Sequence, residues 1–180
     1  AVLDGTDAVM LSQETAAGQY PVRAVEAMAR ICIGAEKQFN SATNYEGAQR
    51  DLDRVDNAIA MATMFLTQHI PVEAIIALTE SGGTARYLSR FRSPVPIYAF
   101  SRHADARRRM SLMRDVFPIA FDSRGLFAGQ AARQAIRHLL DGGLLDEGQR
   151  VLFTSGESMH QHGSTNTLRV IEVSRTMPTP

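Results

Sequence analysis

The sequence predicts an α/β protein: a mainly parallel five-stranded sheet with helices on both faces, preceded by one strand–helix unit of another domain. Two observations lead to this prediction. From residue 51 onwards, short apolar runs alternate with stretches whose apolar residues recur at helical spacing, as in parallel strands joined by crossover helices. Near the start, the apolar residues 8–11 lie between Asp7 and the polar residues 12–15, as in a strand buried on both faces.

The segment before residue 41 is expected to form the strand–helix unit. A strand buried on both faces needs neighbours, so we expect the chain to open inside a larger domain. Without the rest of that domain, the apolar residues 8–11 should be exposed, and either disordered or paired with another copy. Pro21 suits a first helical turn, and the helix that follows should pack on the strand. Residues 41–50 are polar and aperiodic, which predicts a linker between domains at 1–40 and 51–180.

The second domain is predicted to alternate helices and strands. Asp53 or Asp56 is suited to cap its first helix. Pro118 weakens the third strand or places it near an edge, and the alternating pattern of the last strand suits an antiparallel edge. The predicted strands are residues 72–79, 96–100, 116–121, 150–154 and 167–173, and the predicted helices are residues 53–69, 82–90, 103–113 and 126–140.

Composition and charge narrow the class of protein. Hydrophobic residues make up 44% of the 180 residues, as is ordinary for a globular core, and the formal net charge is zero. This balance argues against a general nucleic-acid or anionic-membrane surface. Cys32 is the only cysteine, so no disulfide forms within the chain and a reducing cytoplasm fits. No apolar run approaches the ~20 residues of a membrane helix, and no secretory leader is visible.

The first candidate site is the turn TESGGT at residues 79–84, between a predicted strand and a predicted helix. Gly82 and Gly83 let the backbone approach a ligand closely, and the N–H groups that open the helix favour an anion. Arg86, two residues inside the helix, could turn back toward that anion. An ordinary capped turn uses the same residue types and stays open as the alternative. Hydroxyl donors come from Thr79, Ser81 and Thr84.

The second candidate site is the loop at residues 155–166, after the fourth predicted strand. Because the carboxyl ends of parallel strands meet at one edge of a sheet, we expect this loop to lie beside the first turn. His160 and His162 could pair with a phosphate when protonated. Two histidines at this spacing give a metal site little support, and a solvated loop stays open as the alternative.

Three segments of the chain resemble the pyruvate kinase family: DGTDAVMLSQETAAGQYPVRAVEAMARIC, TESGGTARYLSRFR and HGSTNTLRVIEV. The first is similar to the end of the family's catalytic TIM barrel, where Met-Leu-Ser-x-Glu-Thr-Ala is followed by Gly-x-Tyr-Pro and a helix. The match covers nearly all of the chain and most resembles the C-terminal third of bacterial members activated by monophosphates. It implies that residues 1–40 are the last strand–helix unit of the barrel and that residues 51–180 are the C-terminal regulatory domain.

The resemblance also implies roles for individual residues. The turn at 79–84 matches the family's effector-phosphate loop, and Gly163, Ser164 and Thr165 match the loop that closes over the far end of a sugar phosphate. Ser12 and Glu14 match the rim of the active site, where they would help to position water or the phosphoryl group. Glu80 departs from several activated members, which carry a hydroxyl residue there. Like-charge repulsion then implies that Glu80 points away or that the ligand carries less charge than a bisphosphate.

The function implied by the resemblance is that of a cytoplasmic glycolytic enzyme, a tetramer that transfers phosphate from phosphoenolpyruvate to ADP and gives pyruvate and ATP. The full enzyme would use Mg²⁺ and K⁺. Most of its catalytic residues and metal ligands lie earlier in the family's sequence, so this chain alone is expected to be inactive and to hold no metal. It would bind a sugar monophosphate or AMP as an allosteric effector.

The alternative is a domain that only bridges subunits of a homo-oligomer and has no small-molecule site. An independent small enzyme finds no support, because the sequence shows no paired catalytic carboxylates, nucleophile elbow or metal-spaced Cys/His set. The residues leave open which effector binds, what His160 and His162 do, and whether the chain forms oligomers by itself.

Overall fold

The computed structural model describes residues 1–37, 54–156 and 164–176, and the chain divides into two compact units, Ala1–Ala42 and Thr43–Pro180. The predicted linker at 41–50 lies outside the described residues. The predicted boundaries at residues 40 and 51 therefore stay predictions.

The first unit contains two helices, α1 at Gln13–Ala16 and α2 at Pro21–Lys37. The helix predicted after Pro21 is confirmed, but the strand predicted at residues 8–11 is not formed. Strand backbone groups need hydrogen-bond partners on neighbouring strands, and the described part of this unit contains no other strand. Val9 is 40% and Met10 84% exposed, which agrees with the expectation for an incomplete barrel. No residue of α2 is buried, so the predicted packing of this helix on a strand is wrong for this chain.

The second unit is an α/β domain with a mainly parallel five-stranded sheet, as predicted. The strand order is β3-β2-β1-β4-β5; all neighbours are parallel except β4 and β5, which are antiparallel. The two predicted edge strands, the one with Pro118 and the last one, do lie at the edges. In chain order the elements are α3 (Val55–His69), β1 (Ala74–Leu78), α4 (Gly83–Arg90), β2 (Ile97–Ser101), α5 (Ala104–Met110), β3 (Val116–Ala120), α6 (Ala128–Asp141), β4 (Arg150–Gly156) and β5 (Thr165–Glu172).

The predicted cap of α3 differs from the structure. Asp56 lies inside the first turn, where its carboxylate accepts a hydrogen bond from the N–H of Asn57 at 3.0 Å. Arg54 occupies the cap position; its side chain makes no capping hydrogen bond and instead donates to the Asp56 carboxylate. Asp53 lies outside the described residues. An acidic residue in the first turn is favourable beside the positive end of the helix dipole, so Asp56 supports the helix start from within it.

Helices cover both faces of the sheet, as predicted. On one face, Ile76 and Phe153 pack with Leu139 of α6 in a buried apolar cluster. On the other face, Ile75 and Leu152 pack in a second cluster with residues of α3, α4 and α5. All five residues of β1 are buried because both of its faces are covered. Because β1, β2, β3 and β4 run parallel to one another, their carboxyl ends lie at the same edge of the sheet. The candidate site lies at this edge.

Candidate functional site

The turn after β1 is held by its own polar groups. The N–H of Gly82 donates to Thr79 Oγ1 at 3.0 Å, and Gly82 has a φ of 86°, in the left-handed region that glycine adopts at little cost. A Cβ at this position would lie 2.9 Å from Cγ of the buried Met110. A glycine is therefore required both by the backbone conformation and by the packing against α5.

The helix α4 begins directly after this turn, at Gly83. Its first N–H groups have no partner within the helix, and together with the helix dipole they form a partial positive charge. Thr84 stands in this first turn with its side chain buried, and Ser81 precedes it. This arrangement combines hydroxyl donors with main-chain donors, which suits an anionic group such as a phosphate.

The second predicted loop joins β4 to β5 and meets the first turn. Thr84 Oγ1 and Thr165 Oγ1 lie 2.6 Å apart in a hydrogen bond between two buried side chains. The pairing of β4 and β5 is irregular between Ser155 and Gly156. A Cβ at Gly156 would lie 2.6 Å from the carbonyl oxygen of Ser164, so only glycine allows this close approach. The loops are thus joined by packing and by a hydrogen bond.

A cleft opens between the two loops at the carboxyl edge of the sheet. Six residues that the sequence analysis proposed as effector-binding line it, so Ser81 and Ser164 face the same space. These six are Thr79, Ser81, Gly83, Thr84, Ser164 and Thr165. The remaining lining residues are Asp56, Leu78, Glu80, Phe100, Ser101, Arg102, Phe121, Ser123 and Gly156.

Glu80 lines this cleft and is held by an arginine and a histidine side chain from the segment after β2. Arg102 Nε donates to Glu80 Oε2 at 3.0 Å, and His103 Nε2 lies 2.5 Å from the same oxygen. The Glu80 side chain is only 10% exposed. Its main-chain oxygen accepts a hydrogen bond from Ser101 Oγ at 3.2 Å, which ties the first turn to the end of β2. The carboxylate is therefore fixed beside the cleft, with its charge compensated by Arg102.

Several lining residues were not among the residues proposed from the sequence. Ser101 is the last residue of β2, Arg102 comes directly after it, and Ser123 lies in the segment after β3. The signal that could have found them is the same strand-end rule that placed the second loop beside the first, because β2 and β3 are also parallel strands of this sheet. Asp56, at the start of α3, carries no comparable signal in the sequence.

Other proposed residues lie elsewhere. Arg86 is exposed and not among the lining residues; its guanidinium lies over the Tyr87 ring, 5.3 Å from the centroid. Gly82 forms the turn without lining the cleft. Gly163, His160 and His162 lie outside the described residues.

The proposed active-site rim residues Ser12 and Glu14 belong to the first unit. Ser12 occupies the N-cap position of α1 without a capping side-chain hydrogen bond, and its N–H donates to the Glu14 carboxylate at 3.0 Å. Hydrogen bonds from the main-chain N–H groups of Glu14 and Ser12 lower the pKa of this carboxyl below its ordinary value of 4.5. Within this unit, the Glu14 carboxylate is therefore engaged by the backbone of its own turn.

Neither a metal-binding cluster nor a membrane-spanning helix occurs among the described residues. Within residues 1–37, 54–156 and 164–176, no three His, Cys, Asp or Glu side chains are gathered closely enough to hold a metal ion. The helices found in those same ranges are all too short or too polar to span a bilayer.

Fold and cleft together define a class: an α/β domain with a polar cleft at the carboxyl edge of its parallel strands. Comparison with protein families then identifies the particular family. Residues 57–171 match the family model described as pyruvate kinase, alpha/beta domain, and residues 1–25 match pyruvate kinase, barrel domain. The chain belongs to the pyruvate kinase family, and it corresponds to a C-terminal portion.

Individual relatives agree with this assignment. The chain is similar to pyruvate kinase II of Salmonella typhimurium, with 48% identity over 96% of this chain and 36% of that protein. It is similar to the pyruvate kinase of Buchnera aphidicola subsp. Acyrthosiphon pisum, at 43% identity with the same coverage, and to that of Haemophilus influenzae, at 40% over 87% of this chain and 33% of that protein. The chain thus spans about a third of the length of these relatives.

Proposed function

We propose that this chain is the effector-binding portion of a pyruvate kinase, and that its cleft binds a ligand with a single phosphate, either a sugar monophosphate or AMP. The observation that carries the proposal is the hydrogen bond between Thr84 and Thr165, which joins the turn before α4 to the loop before β5 at one cleft. Hydroxyl groups from both loops and the N–H groups of α4 then converge on one anion. In the whole protein, this binding would adjust the activity of a catalytic barrel.

The whole enzyme would transfer the phosphoryl group of phosphoenolpyruvate to ADP, as a cytoplasmic glycolytic tetramer. Mg²⁺ and K⁺ would be held by residues that this chain does not contain, since phosphoryl transfer needs positioned metal and cationic groups around the moving phosphate. Ser12 and Glu14 would stand at the rim of that active site. The chain alone is therefore expected to be inactive, and pyruvate formed from phosphoenolpyruvate, ADP and Mg²⁺ by the purified chain would contradict this expectation.

Isothermal titration calorimetry with glucose 6-phosphate, ribose 5-phosphate and AMP tests the proposed ligand site. At least one of these ligands should bind, and Ser81→Ala should weaken its binding by about tenfold, because a hydrogen bond to a charged group contributes about 1.5–3 kcal/mol. Ser111→Ala is the matched control, since Ser111 is exposed and its hydroxyl bonds to Arg107 on α5. Absence of binding by all three ligands would favour a domain that only bridges subunits.

A further inference from the structure

A groove lined by cationic and amide side chains runs along one side of α6. Its described lining contains three arginines, Arg133, Arg137 and Arg175, and no carboxylate. The first two belong to α6, and Arg175 follows β5. None of the described residues of this groove lines the proposed effector cleft, so the two sites are separate. The other lining residues described are Gln130, Gln134 and Ser174.

The two arginines of α6 lie on one side of the helix. Arg133 and Arg137 are four residues apart, so their side chains are neighbours, with their backbones about 6 Å apart along the helix axis. Neither belongs to the buried face of α6. Like charges at this spacing repel each other and weaken a helix, and an anion bound between the two guanidinium groups would remove this repulsion.

The third arginine is held from outside the groove. The guanidinium of Arg175 lies 3.2 Å from Glu147 and 3.5 Å from Asp141, and neither carboxylate is among the described lining residues. These contacts position the side chain and leave it further N–H groups for a ligand. Arg137, by contrast, is exposed, and no hydrogen bond or ion pair engages its side chain in the part of the chain that the structure describes.

The positive charge continues from the groove onto β5. Arg169 lies opposite Phe153 in the sheet, and Phe153 packs in the cluster beneath α6. Residues directly opposite each other on neighbouring strands point to the same face, so Arg169 is on the face that α6 covers. Its side chain is exposed. Cationic groups are therefore spread along this side of the domain, as an extended anion would require.

We propose that the groove beside α6 is a binding site for a phosphate chain, such as a diphosphate or triphosphate group, separate from the proposed effector cleft. Guanidinium groups bind phosphate oxygens through paired hydrogen bonds, and three of them line this groove. A single phosphate would reach only part of the set, because the two arginines of α6 alone span about 6 Å. The side-chain amides of Gln130 and Gln134 supply further donors.

Calorimetric titrations of the purified chain with tripolyphosphate, inorganic phosphate and citrate test the class of ligand. Tripolyphosphate should bind about tenfold more tightly than inorganic phosphate, because it contacts more than one arginine. Citrate should also bind more weakly than tripolyphosphate, because a carboxylate offers a guanidinium fewer acceptor oxygens than a phosphate does. Absence of tripolyphosphate binding, or an equal affinity for either of the other two anions, would overturn the proposal.

Arg137→Gln tests the groove itself. The change removes one of the cations at an exposed position of α6 that is not part of the core, so the affinity for tripolyphosphate should fall by about tenfold. Arg108→Gln is the matched control, because Arg108 is 78% exposed on α5 and does not line the groove. This control should keep the affinity within about twofold, since distant exposed charges are screened. Equal losses in both variants would attribute binding to net charge and overturn the proposal.

Amide NMR of the unchanged chain separates the groove from the proposed effector cleft, which is also expected to bind phosphate. Tripolyphosphate should shift the signals of Gln134, Arg137 and Ser174, and saturating glucose 6-phosphate should leave these shifts unchanged, because the two sites share no described lining residue. Shifts confined to Ser81 and Gly83, or loss of the groove shifts when glucose 6-phosphate is added, would overturn the proposal. Failure of glucose 6-phosphate to bind would count against the proposed function alone.

Discussion

The hydrogen bond between Thr84 and Thr165 joins the two loops, and its contribution to the free energy of unfolding can be measured. Thr84→Val keeps the shape of the side chain and removes the partner of Thr165 Oγ1, which lies 2.6 Å away in a buried position. A neutral hydrogen bond contributes about 1 kcal/mol net, and a buried hydroxyl left without a partner costs about 1–3 kcal/mol. We therefore expect Thr84→Val to lower the free energy of unfolding by about 2 kcal/mol.

Urea unfolding followed by circular dichroism provides the assay. With a denaturant dependence of about 2 kcal/mol per molar urea, the midpoint of Thr84→Val should fall by about 1 M. Thr165→Val should cost a similar amount, and the double variant should cost about 1 kcal/mol less than the sum, because the second change finds no hydrogen bond left to break.

The control for this cycle is Thr167→Val on the same strand. The Thr167 hydroxyl bonds to the neighbouring Asn166, so its loss should change the free energy of unfolding by less than about 0.5 kcal/mol. If the costs of Thr84→Val and Thr165→Val add in full, the hydroxyl pair does not couple the two loops and the reasoning fails.

Two further predictions concern the backbone and the charges around the cleft. Gly82→Ala should destabilise the domain by about 2 kcal/mol, because a left-handed φ costs about 1–2 kcal/mol for other residues and the new Cβ would press on Met110. The control is Gly125→Ala, at a residue with a φ of 76° and open space around it. This control should lower the free energy of unfolding by about 1 kcal/mol in the same urea experiment. The Asp122 carboxyl should titrate near pH 2 by NMR, because the hydrogen bonds from Arg124 hold its pKa down to about 2. In Arg124→Gln its pKa should return toward the ordinary value of 3.8. The stabilisation by this pair is present above pH 3.8 and is lost as the pH falls toward 2.

The sheet could be predicted from the sequence because its strands are short apolar runs buried on both faces. Ala74–Leu78 is the clearest case, with five buried residues in a row between polar turns. The position of the second loop beside the first followed from the same pattern, since both loops leave parallel strands at their carboxyl ends. The alternation of apolar strands and helices therefore predicted both the class of fold and the position of the cleft.

Other features depend on contacts that no local pattern encodes. The partners of Glu80 come from 22 and 23 residues further along the chain, so the compensation of its charge became visible only in the structure. Arg86 is close to the turn in sequence, but the direction of its side chain along α4 takes it onto Tyr87. Residues 8–11 have the composition of a buried strand, yet a strand forms only where neighbouring strands supply its hydrogen bonds.

Amide NMR during a titration with glucose 6-phosphate tests most directly whether both loops contact one ligand. The account predicts that the signals of Gly83 and Ser164 shift together and saturate with one dissociation constant, because both residues line the same cleft. Shifts confined to one of the loops, or to neither, would contradict it.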